Sequence, residues 1–262
     1  MSERPINLNA DLGEGYGAWT MGDDEAMLGL VASANIACGG HAGDPLTMRR
    51  TVRLALARGV SLGAHPSFPD LVGFGRRRMD LPAAELEALI LCQVGALQAV
   101  AAAEGGTVSH VKPHGALNNL ACVDAAVADT VARAVRLAGR MTGRDLLLLA
   151  PAHSELARAG ERAGLPVALE VFADRAYLDD GQLVPRSRPD AMVHGADAAL
   201  AHVLRMLDER AIVSTSGRRL PTAIDSICVH GDGPDAVQAA AAIRQGLAAA
   251  GYGLRPLDAL RA

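Results

Sequence analysis

Short apolar runs alternate with longer alanine- and leucine-rich helical segments about seven times along this chain, with no long linker, unambiguous repeat or low-complexity tract between them. Repeated strand–helix units imply a mostly parallel sheet covered by helices, because a parallel strand must be reached by a crossover that lays a helix on the sheet. The strand candidates are PINLNADLG, SANIACGG, VSLGAHP, TVSHVKPHG, DLLLLAP, PVALEVFAD and SICVHGD, with AMVH as a weak eighth. The helix after SANIACGG has the clearest ends, with Asp44 as N-cap, Pro45 in the first turn and Gly59 at the close. A closed barrel and an open doubly wound sheet both satisfy the cadence. The strands are unusually polar, which favours the barrel, since its inward face can carry a ring of functional side chains. In the first strand Ile6, Leu8 and Ala10 face one way and Asn7, Asn9 and Asp11 the other.

At 262 residues the chain can bury one sizeable core and is expected to form one domain over 1–262. A net charge of -4 and 3% aromatic content give no basic or base-stacking footprint for nucleic acid. No signal-peptide run opens the sequence and no window of 18 uncharged apolar residues occurs, so no membrane span is expected and the cytoplasm is the expected location. Cys38, Cys92, Cys122 and Cys228 lack CxxC spacing and read as reduced, mostly buried thiols, with Cys38 and Cys228 close to histidines. Neither GxGxxG nor GxxxxGK[ST] is present.

Six of the seven strand candidates end in, or just before, reactive side chains. The first gives Asp11 and Glu14, and the second Asn35, His41 and Asp44. The third gives His65, with Asp70 in the loop, and the fourth gives His110, Lys112 and His114. The sixth gives Glu170, Asp174 and Arg175, and the last His230 and Asp232. In a parallel sheet all carboxyl ends open on one face, where ligands bind. Lys112 is the most pointed of these, because a lysine aimed into a barrel must be paired to offset its desolvation. His153 and His202 read as helix residues, and His194 stays open. The loop GFGRRRMDLP offers Arg76, Arg77 and Arg78 as clamps for a phosphate or carboxylate. Glycines in GDGPDAV and CGGHAGDP suit an anion at a helix start. Two chemistries remain open on these residues. One is a divalent metal held by histidines and carboxylates, as in a stand-alone metal-dependent amide or ester hydrolase; the other is phosphate neutralisation by lysine and arginine with acid–base catalysis. Spacing selects no metal-ligand set.

The motifs NLNADLGEGYG, SANIACGGHAGDP, GAHPSFPDLVGFGRR, HVKPHGAL, EVFADRAY, LVPRS and SICVHGD, in this order from about residue 6 to residue 255, resemble the LamB/YcsF lactam-utilisation family. The resemblance implies an irregular TIM-like (β/α) barrel of the α/β class. It also implies ATP-dependent hydrolytic opening of 5-oxo-L-proline to L-glutamate, ATP being a co-substrate accompanied by Mg2+. The work would be shared with two further 5-oxoprolinase subunits, B and C. Carried over motif by motif, the implied catalytic residues are Asp11, Lys112, His114, Asp174 and Arg175. Implied substrate or phosphate contacts are Glu14, His41, Asp44, His65, Asp70, Arg76, His230, Gly231 and Asp232. Asn118 stands where the family usually carries a tyrosine after KPHGAL, so an aromatic wall is replaced by an amide.

Overall fold

The computed structural model describes residues 4–230 and 236–260. In chain order its elements are β1 (Arg4–Leu12), α1 (Asp24–Leu28), β2 (Ser33–Ala37), α2 (Pro45–Ala57), β3 (Ser61–His65), α3 (Ala83–Ala103) and β4 (Val108–Val111). Then come α4 (Gly115–Val123), α5 (Ala125–Thr142), β5 (Leu147–Pro151), α6 (Glu155–Arg162), β6 (Val167–Phe172) and α7 (Ala196–Glu209). The chain continues through β7 (Ala211–Val213), β8 (Arg219–Pro221), β9 (Ser226–Val229), α8 (Ala236–Ala249), β10 (Tyr252–Leu254) and a 3-10 turn over Leu257–Leu260.

Seven strands pair in parallel in the order β1-β2-β3-β4-β5-β6-β9, and β9 pairs back onto β1, which closes the sheet into a barrel. The closed alternative is therefore the observed one. Its irregularity has three sources. The antiparallel β7–β8 hairpin stands outside the barrel, β10 adds to the first residues of β1, and the β3–β4 register shifts between Leu62 and Gly63. AMVH does not form a strand; a single bridge joins Met192 to Arg175.

The period-two split in β1 is reproduced. Ile6, Leu8 and Ala10 are buried against the helix layer, as are Ala34 and Ile36 of β2, Leu62 and Ala64 of β3 and Ile227 and Val229 of β9. Asn7 and Asn9 are fully buried on the other face. That inner face is held by hydrogen bonds rather than apolar packing, as buried amides and hydroxyls require. Asn7 Nδ2 donates to Ser33 Oγ at 2.7 Å and Ser226 Oγ donates to Asn7 Oδ1 at 2.6 Å. Above them Asn9 Nδ2 donates to Glu170 Oε1 at 2.8 Å, and Asn35 Nδ2 to Asn9 Oδ1 at 2.7 Å. A small apolar floor lies below, where Leu257 and Leu260 meet Leu147, Leu149 and Ala168. Gly63 leaves room for this polar filling: a Cβ there would fall inside the His110 imidazole.

The helix ends follow local chemistry. Asp44 caps α2 by accepting from the Leu46 and Thr47 amides, with Pro45 at its first position. Asp124 caps α5 in the same way, and Ser154 caps α6 by accepting from the Ala157 amide at 3.1 Å. The sequence placed His153 at that start; it sits one residue earlier with φ +62. Among the described residues α3 is long and apolar enough to cross a membrane by length and composition alone. Here it packs on α5 and the barrel, with Arg133 paired to Glu87 at 3.0 Å.

Candidate active site

The carboxyl ends of the strands bring most of the expected residues to one mouth. Lys112, only 2% exposed, extends from the end of β4 across the barrel axis. Its Nζ lies 3.0 Å from Asp11 Oδ1, 3.1 Å from Glu170 Oε1 and 3.1 Å from Cys228 Sγ. Burial disfavours the ammonium, but Asp11, Cys228 and Glu170 outweigh it and hold Lys112 well above the ordinary lysine range. Two carboxylates share this one cation and burial separates them. Burial works against ionising Asp11 too, yet His65 and Lys112 together hold its carboxyl well below the usual range. Glu170 is pushed up by burial, which Lys112 only partly offsets. Neighbouring acids with diverging proton affinities are a mark of acid–base machinery.

Asp11 is also oriented from below. Asn35 Nδ2 donates to its Oδ1 at 2.9 Å, and Asn35 Oδ1 accepts from His110 Nε2 at 3.0 Å. Burial, with the Lys112 charge, presses His110 down to about 3, so it stays a neutral donor.

Four further polar side chains gather beside Asp11. His65 Nε2 lies 3.3 Å from Asp11 Oδ2 and 3.0 Å from His114 Nδ1. Glu14 Oε1 lies 3.4 Å from His114 Nδ1 and 3.1 Å from His41 Nε2. The His41 and His114 rings stack at 3.7 Å between centroids, and burial holds both well below the ordinary histidine value. Gly115 follows His114 with φ +57, and a Cβ there would press on the Gly75 carbonyl at 2.6 Å, so glycine lets the loops close over the histidines.

These groups open into a cavity of about 570 Å3, within the range of small-molecule sites, lined by Asp11, Lys112, His114, Asn118, Arg175 and His230 among others. Arg76 and Arg186 add charge at its rim. Arg175 is fixed by donation to the Val184 carbonyl at 2.7 Å, and burial, with nearby Arg186, lowers its proton affinity. His202, read from sequence as a helix residue, supports this corner by donating to the Arg175 carbonyl at 3.1 Å. Asn118 is buried at the wall with no partner for its Oδ1 among the described residues. A second cavity of about 610 Å3 shares Glu14 and Arg76 and runs under Phe74 to the exposed Trp19 and Val72.

Not every expected residue reaches the cavity. Asp44 is used as the α2 cap and accepts as well from Thr47 Oγ1 and the Gly17 amide; the Thr47 hydroxyl is the main reason its carboxyl falls to about 2. Asp70 is gripped by Arg77, which brings its carboxyl to about 2, and it accepts from the Gly73 amide. The carboxylate clamped by the arginine run is thus the protein's own, while Arg78 pairs with Asp80 at 2.9 Å. Of the three arginines, Arg76 lines both cavities. Gly231 and Asp232, with the rest of GDGPD, lie outside the described residues. His194 is exposed and away from the cavity.

Three contributors were given no specific role from sequence: Glu170 (read only as a strand-end acid), Asn9, and Cys228 (read only as a thiol close to a histidine). The available signal was their inward parity in β6, β1 and β9. A second signal is composition, because Lys112 is the only lysine in the chain.

At the cavity edge His230 Nδ1 donates to both Asp174 oxygens at 2.8 Å. Burial opposes charging His230, but the bond to Asp174 and its charge outweigh this and raise the imidazole pKa. Burial also opposes ionising Asp174, and His230 reverses that, so the carboxyl titrates low. The raised imidazole favours folding fully below about pH 6.5 and loses this contribution as pH climbs through its folded-state pKa. The lowered carboxyl contributes above about pH 4 and loses its share as pH falls through its own folded-state pKa. In Asp174→Asn the His230 titration, followed by NMR, is expected to move to lower pH; an unmoved midpoint would show that Asp174 does not set it.

Comparison with known proteins places this arrangement. The LamB/YcsF family profile matches residues 6–262. The 5-oxoprolinase A subunit from Azoarcus sp. (strain BH72) is 61% identical over 249 residues, covering 95% of this chain and 96% of that one. The crystal structure of a lactam utilization protein from Thermus thermophilus superposes with a TM-score of 0.89 at 43% identity, covering 97% of this chain and 99% of that one. A T48 deacetylase shares the fold alone, with a TM-score of 0.51 at 15% identity over 99% of this chain and 90% of that one.

Proposed function

Because the chain belongs to the LamB/YcsF family, we propose that it is the A subunit of a 5-oxoprolinase, opening 5-oxo-L-proline to L-glutamate with consumption of ATP. The observation that carries this reading is the Asp11–Lys112–Glu170 cluster buried at the floor of a cationic cavity. A five-membered lactam is a stable amide, and transfer of a phosphoryl group to its oxygen makes an imidate that water can attack. Water adds at the ring carbon, the C–N bond breaks as the nitrogen takes up a proton to leave an acyl phosphate, and a second water displaces phosphate to give the carboxylate of glutamate.

Lys112 and Arg175 neutralise charge on the lactam or phosphoryl oxygens, where preorganised donors contribute most. Asp11, or else His114, takes the proton from the attacking water. Arg76 and Arg186 at the rim suit the phosphates of a nucleotide accompanied by Mg2+. His230, paired with Asp174, borders the same space, Glu14 and His65 line it as well, and His41 stacks on His114 and faces the second cavity. The whole chain acts as one barrel domain in the cytoplasm, together with subunits B and C.

The test is glutamate release from 5-oxo-L-proline by the purified chain, with and without magnesium-ATP and with and without the B and C partners. Release confined to mixtures holding ATP and both partners is expected. Release by the chain alone without nucleotide would overturn the proposal in favour of a stand-alone hydrolase.

A further inference from the structure

Two of the histidines at the mouth have their tautomers fixed by the backbone. His65 Nδ1 lies 2.6 Å from the Lys112 carbonyl and His114 Nε2 lies 2.9 Å from the Phe74 carbonyl. A carbonyl only accepts, so both nitrogens carry protons and donate. The remaining nitrogens, His65 Nε2 and His114 Nδ1, therefore face each other at 3.0 Å with lone pairs directed at the same space. Glu14 Oε1 approaches His114 Nδ1 at 3.4 Å and His41 Nε2 at 3.1 Å, and Asp11 Oδ2 approaches His65 Nε2 at 3.3 Å. His41 Nε2 can donate to Glu14 Oε1 in one tautomer, but His65 Nε2 and His114 Nδ1 meet as two acceptors unless a positive charge sits between them.

We propose that Glu14, His41, His65 and His114 bind one divalent transition-metal ion. Their ligand atoms all lie within 4.8 Å of one another, and the closest approaches match donors each about 2.0–2.2 Å from a shared ion. Imidazole nitrogens locked by donation to a backbone carbonyl are the usual outer support of a metal-bound histidine. Three nitrogens and one carboxylate favour zinc, cobalt, manganese or iron over magnesium or calcium, which prefer all-oxygen sites. Glu14, His65 and His114 line the cavity of about 570 Å3, so an open coordination position on the ion would face the substrate space. There it would polarise a carbonyl or acidify a water. The site rests on the donor geometry alone and does not depend on the lactam assignment.

The test uses the untagged full chain, stripped with a chelator and titrated with Co2+ in the absence of nucleotide, lactam and partner subunits. Saturation at one equivalent is expected, with visible absorption of a nitrogen- and oxygen-ligated ion that Zn2+ displaces. Glu14→Gln and His114→Ala are each expected to weaken binding at least tenfold, in line with or beyond the effect of losing an outer-shell partner. Glu14→Gln keeps the side-chain shape, so it serves if His114→Ala fails to fold. Absence of saturable binding would overturn the proposal and leave a shared proton between His65 and His114 as the buried charge. Unchanged binding in Glu14→Gln would also overturn it. So would an intense thiolate-to-cobalt band, which would move the ion to the neighbouring Asp11, Cys228 and His230 group. Because the measurement contains no lactam, its failure is distinct from failure of the 5-oxoprolinase assignment.

Discussion

Replacing Lys112 with methionine is expected to lower glutamate release by the assembled enzyme by on the order of 10^2–10^3-fold, the usual loss when one preorganised stabiliser of transition-state charge is removed. Methionine keeps most of the stem and removes the cation that lies 3.0 Å from Asp11 and 3.1 Å from Glu170. Two carboxylates then share a buried space without it. Glu170, already pushed up by burial, is the one that takes a proton in response. Breaking a buried pair by removing one partner costs about 3–5 kcal/mol, so the melting temperature falls as well. Arginine is not expected to rescue the loss, since its planar fork does not match the compact three-way contact that an ammonium makes. Steady-state kinetics and a thermal melt check both parts; turnover within a few-fold of the parent would remove Lys112 from the chemistry.

Asp11→Asn is expected to cause the second large effect, a fall in kcat on the order of 10^2–10^4, the range for loss of a positioned proton acceptor. The amide keeps the shape of the carboxylate but puts a donor where Lys112 and Asn35 each point one already. A drop in kcat with little change in KM would mark a group acting on the reacting atoms. A rise in KM with kcat unchanged would make Asp11 a binding residue and leave the proton to His114.

Much of this arrangement was readable from the chain, and the unreadable part has a physical pattern. The strand–helix cadence and the β1 parity of Asn7, Asn9 and Asp11 depend on local periodicity, so they survived into the structure. The same alternation put His110 and Lys112 on the inner face. What local reading missed was short or tertiary. The five-residue α1 and three-residue β7, β8 and β10 are too brief to show a period, and α4 follows β4 across a three-residue turn that reads as loop. Asp44 and Asp70 sit in the right motifs but have nearer duties, as a helix cap and as the partner of Arg77. Sequence order shows that an acid lies near the site, not which donors it meets first. Glu170 is the converse case: it stands on the sixth strand beside Asp174 and Arg175 in the sequence, and only closure of the barrel sets it under Lys112.

The most direct test of the account combines both substitutions in one chain, assembled with the B and C subunits and magnesium-ATP. Asp11→Asn with Lys112→Met removes one charge of each sign, so the barrel centre is balanced again apart from Glu170, which burial favours in its neutral form. The double variant is expected to melt closer to the parent than Lys112→Met does, to assemble with its partners, and to release no glutamate. Glutamate release at the parent rate from that assembled complex would contradict the account, because the chemistry would then lie outside this barrel.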